Sequence, residues 1–240
     1  MKIVRTIHEL ELEGVVGLVP TMGALHDGHR SLFKVAREEN DILVASLFVN
    51  PAQFDQAADL AGYPRDERRD LQIAEEEGVD VLFAPSADEM YPAGFGTWVD
   101  VDGTGAEGAS RPGHFRGVAT VCVKLFNIVR PRRAYFGQKD AQQAAVLRHV
   151  VRDLNLDIQI RVLPTIRDKD GLAISSRNVQ LSSEERIQAL ALPRALARGA
   201  EAYTQGEDAV LATRTSFNGA TPDYVELVDL DGVTVLAAAL

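Results

Sequence analysis

The chain has 240 residues, of which 46% are hydrophobic and 25% charged, and its formal net charge is −10. These values are ordinary for a globular protein and argue against a disordered chain. Because the acidic surplus leaves no basic field to follow a nucleic-acid backbone, we expect no DNA or RNA partner. An anionic substrate must then be held by local cationic or hydrogen-bonding groups.

The chain has one cysteine, Cys122, which lies in an apolar run and is expected to be a buried, inert thiol. A single cysteine excludes an intrachain disulfide and a zinc site built on cysteines. The first residues carry acids where a signal peptide has an apolar core, and no apolar window reaches about 18 residues. We therefore expect a cytoplasmic protein without a membrane span.

In the first two-thirds of the chain, short β-branched runs alternate with stretches of helical periodicity. Strands are predicted at 15–19, 42–49, 79–85, 133–137 and 157–164, and helices at 29–40, 65–78, 113–129 and 140–155. The strands are almost continuously apolar, which is typical of strands buried on both faces. This alternation predicts an α/β protein with a Rossmann-like, doubly wound parallel sheet.

After about residue 170 the pattern changes. A long helix is predicted at 182–203, where Pro193 should kink or divide it, and a second helix at 207–217. Two strands, 223–230 and 233–240, flank the turn dipeptide Asp231-Gly232, a spacing that suits a hairpin. We therefore expect a Rossmann-like domain over 1–168 and a small C-terminal α+β lid domain over 169–240.

The strongest functional pattern is PTMGALHDGH at 20–29, between the first buried strand and the first helix. Doubly wound sheets bind ligands at the carboxyl ends of their strands, and free N–H groups at a helix start favour a phosphate. His26 and His29 lie three residues apart, so both rings can face one side of the first turn and steady charge on a phosphate. A lone histidine here would more simply be a surface or capping residue. The His-x-Gly-His pattern resembles the HxGH nucleotidyltransferase superfamily, which transfers nucleotidyl groups and releases pyrophosphate.

Two further loops carry groups that suit phosphates. The segment Asp168–Asn178 combines glycine with Ser175, Ser176 and Arg177, and alone it could be an ordinary solvated loop. Beside His-x-Gly-His, it resembles the mobile phosphate loop of the superfamily. At 136–143, FGQKDAQQ again joins a strand to a helix, where Lys139 supplies a point charge and Asp140 can accept from ribose hydroxyls. A simple helix cap explains Asp140 well and Lys139 poorly.

The segment 48–54, FVNPAQF, follows the second predicted strand, and its amides can orient a small polar substrate. With YPRD…DL at 63–71, EGASRPGHFRGVATVC at 107–122, and the three motifs above in this order, the chain resembles the pantothenate synthetase (pantoate–β-alanine ligase) family. The resemblance covers about residues 1–230.

This resemblance implies that (R)-pantoate reacts with ATP and Mg²⁺ to give pantoyl adenylate and pyrophosphate. β-Alanine then attacks the adenylate, which yields pantothenate and AMP. The resemblance also implies a ligase in coenzyme A biosynthesis that is usually a homodimer.

The family's site residues map onto this sequence by motif. The resemblance assigns catalytic roles to His29, as proton donor, to His26 and to Lys139, and a metal-binding role to Asp70. Pantoate contacts fall on Gln53 and Gln143, with Gln53 also facing β-alanine. ATP contacts fall on Met22, Gly23, Ala24, Leu25, His26, Asp27, Gly28, His29, Gly137, Gln138, Lys139, Asp140, Ile166, Ile174, Ser175, Ser176 and Arg177.

The sequence departs from the family pattern at Gln138, Ala141 and Ile174, where glutamate, an aromatic residue and methionine are usual. Members also commonly carry more residues after the strand matching 223–230, so a shortened small domain is expected. Two alternatives remain open. One is another HxGH nucleotidyltransferase that joins AMP to a phosphate ester, against which the amides of Gln53 and Gln143 argue. The other is a weakly active or non-catalytic nucleotide-binding homologue.

Overall fold

A computed structural model describes residues 1–102, 105–217, 219–230 and 233–239. Its strands, in chain order, are β1 (Lys2–Val4), β2 (Val16–Thr21), β3 (Ile42–Leu47), β4 (Val81–Phe83), β5 (Arg133–Gly137), β6 (Gln159–Leu163), β7 (Tyr224–Leu230) and β8 (Val233–Ala239). Its helices are α1 (Asp27–Glu39), α2 (Ala57–Gly62), α3 (Glu67–Glu76), α4 (Ala87–Met90), α5 (Ala106–Ser110), α6 (His114–Val129), α7 (Ala141–Asp153), α8 (Ser183–Ala189), α9 (Ala191–Thr204) and α10 (Ala209–Thr215).

The chain divides into two compact units, residues 1–102 with 113–165 and residues 103–112 with 166–240. The sequence predicted a boundary after residue 168, and the last change of unit in the structure falls between residues 165 and 166. It also placed 103–112 in the first domain, whereas the structure groups this segment with the C-terminal residues. One contact that joins this segment to the C-terminal residues is a hydrogen bond of 2.9 Å from the N–H of Ala106, at the start of α5, to the carboxylate of Glu226 on β7.

The first unit contains a six-stranded parallel sheet in the order β1-β4-β3-β2-β5-β6. The predicted parallel α/β architecture is confirmed, and all five predicted strands are present, one with the predicted ends (133–137) and four with shifted ends. Edge strand β1 was not predicted, because it has three residues and only Val4 among them is buried.

The order of the strands reverses at the centre of this sheet. From β2 the chain moves outward through β3 to β4, while β5 pairs with the opposite side of β2 and leads outward to β6. A crevice therefore opens at the carboxyl ends of β2 and β5, which is the usual ligand position in a doubly wound sheet. The segments after these two strands are the ones that begin at Met22 and at Gln138.

The two faces of this sheet carry separate apolar clusters. Val16 and Leu18 of β2 pack into one cluster with α6, and Val19 packs into the other with Phe33 of α1. Alternate residues of one strand thus bury on opposite faces, which explains the continuous apolar runs. Cys122 of α6 is 4% exposed, and burial raises the pKa of its thiol to about 12, as expected for an inert residue.

The second unit packs α9 and α10 against an antiparallel hairpin of β7 and β8, with Phe217 and Val225 in its core. The hairpin register runs from Tyr224↔Ala239 to Leu230↔Val233, and the predicted turn dipeptide 231–232 lies outside the described residues. The long helix predicted at 182–203 is divided at Leu190, ahead of Pro193. Pro193 lies in the first turn of α9, where a missing N–H is harmless. Within the described ranges, no helix is long and apolar enough to cross a membrane.

Candidate functional site

The loop between β2 and α1 turns sharply as it leaves the sheet. Gly23 and Ala24 both adopt positive φ, +85° and +50°. The hydroxyl of Thr21 donates to the carbonyl of Ser46 at 2.6 Å and accepts from the N–H of Gly23 at 3.2 Å. This hydroxyl therefore links the start of the loop to the neighbouring strand β3.

Asp70, on α3, also contacts this loop. Its Oδ2 accepts from the N–H of Ala24 at 2.9 Å and its Oδ1 from the N–H of Leu25 at 2.7 Å. Asp70 is 2% exposed, and burial raises the pKa of its carboxyl against the opposing effect of these two hydrogen bonds. Within the described part of the chain, no three His, Cys, Asp or Glu side chains are grouped so that they could hold a metal ion.

The two histidines of the motif cap the first turn of α1. His26 is the N-cap residue, and its Nδ1 accepts from the N–H of Gly28 at 3.1 Å. In return, Nδ1 of His29 accepts from the N–H of His26 at 3.3 Å. The ring centroids lie 4.1 Å apart. The pattern thus forms a capping box in which imidazoles replace the usual hydroxyl and carboxylate.

These caps also determine the protonation of the rings. A neutral imidazole has one donor and one acceptor nitrogen, and in both rings Nδ1 accepts, so Nε2 carries the hydrogen. Burial, then the charges of His26 and Lys139, lower the pKa of His29 to about 3. Burial and Lys139 also lower the pKa of His26. At neutral pH, two uncharged rings each present an Nε2–H donor, which favours hydrogen-bond donation by His29 over proton transfer.

The sequence predicted free N–H groups at the start of α1 that could bind a phosphate, and the structure shows that most of them are not free. Most N–H groups of this turn already have acceptors within the chain, which are Thr21 Oγ1, Asp70, His29 Nδ1, His26 Nδ1 and the carbonyl of His26. The donating residues are Gly23, Ala24, Leu25, His26, Gly28, His29 and Arg30. An anion at this edge would therefore be met mainly by side-chain donors.

Lys139 and Asp140 follow β5 in a short 3-10 turn that leads into α7. Lys139 Nζ lies 3.0 Å from Asp140 Oδ1, and both side chains are exposed. The charge of Lys139 lowers the pKa of both His26 and His29. The structure therefore brings the segment 136–143 close to the His-x-Gly-His motif. The switch point of the sheet thus combines two neutral donors with one cation.

Asn50 is 1% exposed at the end of β3 and uses all its hydrogen-bonding capacity. Its Nδ2 donates to Oε1 of Gln53 at 2.9 Å and to the carbonyl of Gly117 at 3.2 Å. Its Oδ1 accepts from the N–H of Ala52 at 3.3 Å and from the hydroxyl of Tyr91 at 2.8 Å. Since Gln53 Oε1 already accepts, the Nε2 of Gln53 is its end available to a ligand.

Sequence reasoning missed two residues of this cluster. Tyr91 lies between the predicted strand 79–85 and the predicted helix 113–129, and no local pattern marks its partner 41 positions earlier. His114, at the start of α6, donates from Nδ1 to the carbonyl of Gln53 at 2.9 Å. Gln143, in the first turn of α7, makes no side-chain hydrogen bond to the described residues.

The segment Asp168–Asn178 lies in the second unit and is tied together internally. Arg186 of α8 pairs with Asp168 at 2.7 Å and with Asp170 at 2.8 Å. Ser175 caps the 3-10 turn 176–180 by accepting from the N–H of Arg177 at 3.3 Å. Ile166 and Ile174 are joined by a hydrogen bond of 3.0 Å from the N–H of Ile174. The mobility implied by the resemblance of this segment to the superfamily's phosphate loop stays a prediction.

Comparisons with known proteins place this site in a family context. The family model described as pantoate-beta-alanine ligase matches residues 1–238. Among curated relatives, pantothenate synthetase of Roseiflexus castenholzii is 53% identical over 245 residues, covering 96% of this chain and 88% of that protein. The Geobacter sulfurreducens pantothenate synthetase is 53% identical, with 93% and 82% covered.

Solved structures agree with these relatives. Pantothenate synthetase from Thermus thermophilus superposes with a TM-score of 0.92 at 47% identity, covering 98% of this chain and 90% of that one. Pantoate-beta-alanine ligase from Francisella tularensis, solved in complex with beta-gamma ATP and beta-alanine, superposes with a TM-score of 0.84 at 34% identity. The coverage there is 100% of this chain and 97% of the other.

Proposed function

The chain belongs to the pantoate–β-alanine ligase family, and we propose that it joins (R)-pantoate to β-alanine through a pantoyl adenylate formed from ATP. In the first half-reaction a pantoate carboxylate oxygen attacks the α-phosphorus, and pyrophosphate leaves. In the second, the amine of β-alanine attacks the acyl carbon and AMP leaves with the electron pair of the broken C–O bond. The amine proton is released.

The observation that carries this proposal is the pair of rings, 4.1 Å apart with the hydrogen on Nε2, beside the charge of Lys139 at the switch point of the sheet. As the carboxylate attacks, negative charge grows on the α-phosphate oxygens. Preorganised donors stabilise such charge without reorganising, and this stabilisation is often the main source of an enzyme's rate enhancement. Since neither Nδ1 nor Nε2 of His26 or His29 is a free acceptor, we propose that these rings act by donation and not as general bases.

Gln53 and Gln143 are proposed to hold pantoate, and Gln53 also to face β-alanine. The Oε1 of Gln53 accepts from Asn50, so its Nε2–H₂ group remains to donate to a hydroxyl or carboxylate oxygen. The amide of Gln143 has no partner within the described chain and can both donate and accept. This pair suits a small hydroxy acid.

ATP is proposed to occupy the loop Met22–His29 and the turn Gly137–Asp140, with its ribose toward Asp140 and its phosphates toward Lys139. The roles that the family resemblance assigns to Ile166, beside the adenine, and to Ile174–Arg177, at the phosphates, stay predictions. The Francisella tularensis ligase, solved with a β-γ ATP compound and β-alanine, supports an ATP site in this family.

Mg²⁺ is implied by the family resemblance. The described residues offer no ready-made cluster of three His, Cys, Asp or Glu ligands, so we propose that Mg²⁺ enters on the phosphates of ATP. No step proposed above depends on a metal held by the protein. The expected proximity of Asp70 to this ion stays a prediction, as do a homodimer and a cytoplasmic location.

A pantoate-dependent exchange of pyrophosphate into ATP tests the first half-reaction alone. We expect exchange with ATP and pantoate, and AMP release once β-alanine is added. Exchange that proceeds equally with an unrelated carboxylic acid would refute the substrate assignment. A stable dinucleotide product would instead favour another HxGH nucleotidyltransferase, and ATP binding without exchange would favour a non-catalytic homologue.

A further inference from the structure

The carboxylate of Asp70 joins two segments that are far apart in the chain. It accepts from two consecutive N–H groups, of Ala24 and Leu25, across separations of 46 and 45 residues. Successive N–H groups beside a left-handed residue form a concavity that binds anions. In this protein a buried side chain of the chain itself fills that concavity.

The loop needs such a partner because its backbone is strained. Ala24 has a φ of +50°, which residues with a Cβ rarely adopt outside glycine-like turns. Gly23 beside it has a φ of +85°, and a Cβ there would lie 2.8 Å from Asp70 Oδ2 and 2.7 Å from Leu47 Cδ1. The backbone at Gly23 therefore lies close to Asp70 of α3 and to Leu47 of β3. The two hydrogen bonds to Asp70 compensate for the conformation of the loop.

A second contact joins α3 to α1, just beyond the loop. Arg30, in the first turn of α1, pairs with Glu76 at 2.7 Å and with Glu77 at 2.5 Å, at the end of α3. Asp70 and this ion pair thus hold the chain on either side of the capping pair His26 and His29. Since the capping turn begins directly after Leu25, a shift at Leu25 would move both rings.

We propose that Asp70 is a positioning residue, which sets the left-handed turn at Ala24 and thereby aims the Nε2–H donors of His26 and His29. Asp70 touches no substrate in this role and acts through the backbone of the loop. The proposal rests on the proposed ligase function only for its kinetic readout.

The competing role for Asp70 is that of a ligand to Mg²⁺. Both of its oxygens accept short hydrogen bonds from N–H groups, and the residue is 2% exposed, which supports the positioning role. The two roles predict different consequences when one oxygen becomes an amide. A metal ligand would change the Mg²⁺ requirement, while a positioning residue would change the loop.

The test variant is Asp70→Asn, which keeps the shape but turns an amide N–H₂ group toward one of the two N–H groups. The control is Asp66→Asn, because Asp66 lies at the start of the same helix, is exposed, and caps α3 in a position where asparagine also caps well. We expect Asp70→Asn to lower kcat on the order of 100-fold, as for a small misplacement of catalytic groups, and to leave the half-saturating Mg²⁺ concentration unchanged. Asp66→Asn should leave kcat unchanged.

A rescue experiment separates strain from lost ligation. Asp70→Asn should also lower the melting temperature. Adding Ala24→Gly should restore part of this loss, because glycine adopts positive φ without the penalty of a Cβ. No restoration, together with a kcat that returns at high Mg²⁺, would overturn the proposal and make Asp70 a metal ligand. A kcat equal to that of Asp66→Asn would overturn it as well.

Amide hydrogen exchange in the unaltered protein tests the contact directly, even if Asp70→Asn does not fold. The amides of Ala24 and Leu25 should exchange slowly for loop residues, because both donate to Asp70 in hydrogen bonds that are partly buried at Ala24 and buried at Leu25. Rapid exchange at both would refute the proposal. This measurement needs no substrate, so its result is independent of whether the unaltered protein shows pantoate-dependent exchange.

Discussion

The backbone N–H of His26 donates to Nδ1 of His29, and Nδ1 of His26 accepts in turn from Gly28. Each ring therefore uses Nδ1 as an acceptor within the fold, which leaves Nε2 to carry the hydrogen. The stability of this turn should depend on pH, because a protonated ring cannot accept at Nδ1. The same two rings that are proposed to stabilise a phosphate also close the first turn of α1.

The first prediction concerns this pH dependence. The pKa of His29 is about 3 in the folded protein, against an ordinary value of 6.5, so between these values the unfolded chain binds more protons. The stability that His29 contributes is thus present above pH 6.5 and is lost as pH falls toward 3. Between pH 7 and pH 5 we expect a loss of up to about 2 kcal/mol that His29→Gln lacks.

Urea unfolding at both pH values measures this difference. The matched control is His8→Gln, because His8 is exposed near the N-terminus. The His8→Gln variant should lose as much unfolding free energy between pH 7 and pH 5 as the unaltered protein. If His29→Gln and the unaltered protein lost the same unfolding free energy between pH 7 and pH 5, His29 would not be held neutral in the fold.

The second prediction concerns the cation at the switch point. The charge of Lys139 lowers the pKa of both histidines, so Lys139→Ala should raise both pKa values in an NMR titration. It should also reduce turnover at least about 100-fold, the scale of one lost preorganised stabiliser. Arg148→Ala removes an exposed charge on α7 and should change neither quantity. Unchanged histidine titrations would mean that Lys139 lies farther from the pair.

The third prediction concerns the packing of α6 against the turn 51–53. A Cβ on Gly117 would overlap the carbonyl oxygen of Ala52, next to Gln53. Gly117→Ala should therefore destabilise the protein by about 1–3 kcal/mol and raise the KM for pantoate. At Gly62, in α2, a Cβ meets nothing within 4 Å, so Gly62→Ala should be close to neutral. Thermal melts and steady-state kinetics check both, and a neutral Gly117→Ala would contradict the packing.

The fourth prediction concerns the orientation of Gln53. Tyr91→Phe removes the hydroxyl that donates to Asn50 and leaves the ring contacts with Phe95 and Trp98. A lost buried hydrogen bond is worth roughly 1 kcal/mol, so the KM for pantoate should rise about fivefold while that for ATP stays constant. Tyr203→Phe, on the exposed side of α9, is the control. Equal rises in both KM values would point to a general loss of folding.

The sequence determined the parallel α/β fold and the positions of the motifs, because strand and helix periodicities are local. Apolar runs such as 42–49 predict strands buried on both faces. The position of His-x-Gly-His between a predicted strand and a predicted helix is likewise a local feature of the sequence. The division of the helix predicted at 182–203 was expected at Pro193 but falls at Leu190, because proline is tolerated in the first turn of α9.

Only the tertiary structure decided how the motif loop is held and what its histidines can do. Asp70 accepts hydrogen bonds from Ala24 and Leu25, more than 40 residues away, Tyr91 donates to Asn50, and Ala106 donates to Glu226 of the C-terminal unit. Nothing local in the sequence encodes these pairings. The same holds for the two histidine caps, because backbone geometry determines that Nδ1 of each ring is the nitrogen that accepts a hydrogen bond. Protonation and hydrogen-bond direction depend on burial and on partners that only the folded chain brings together.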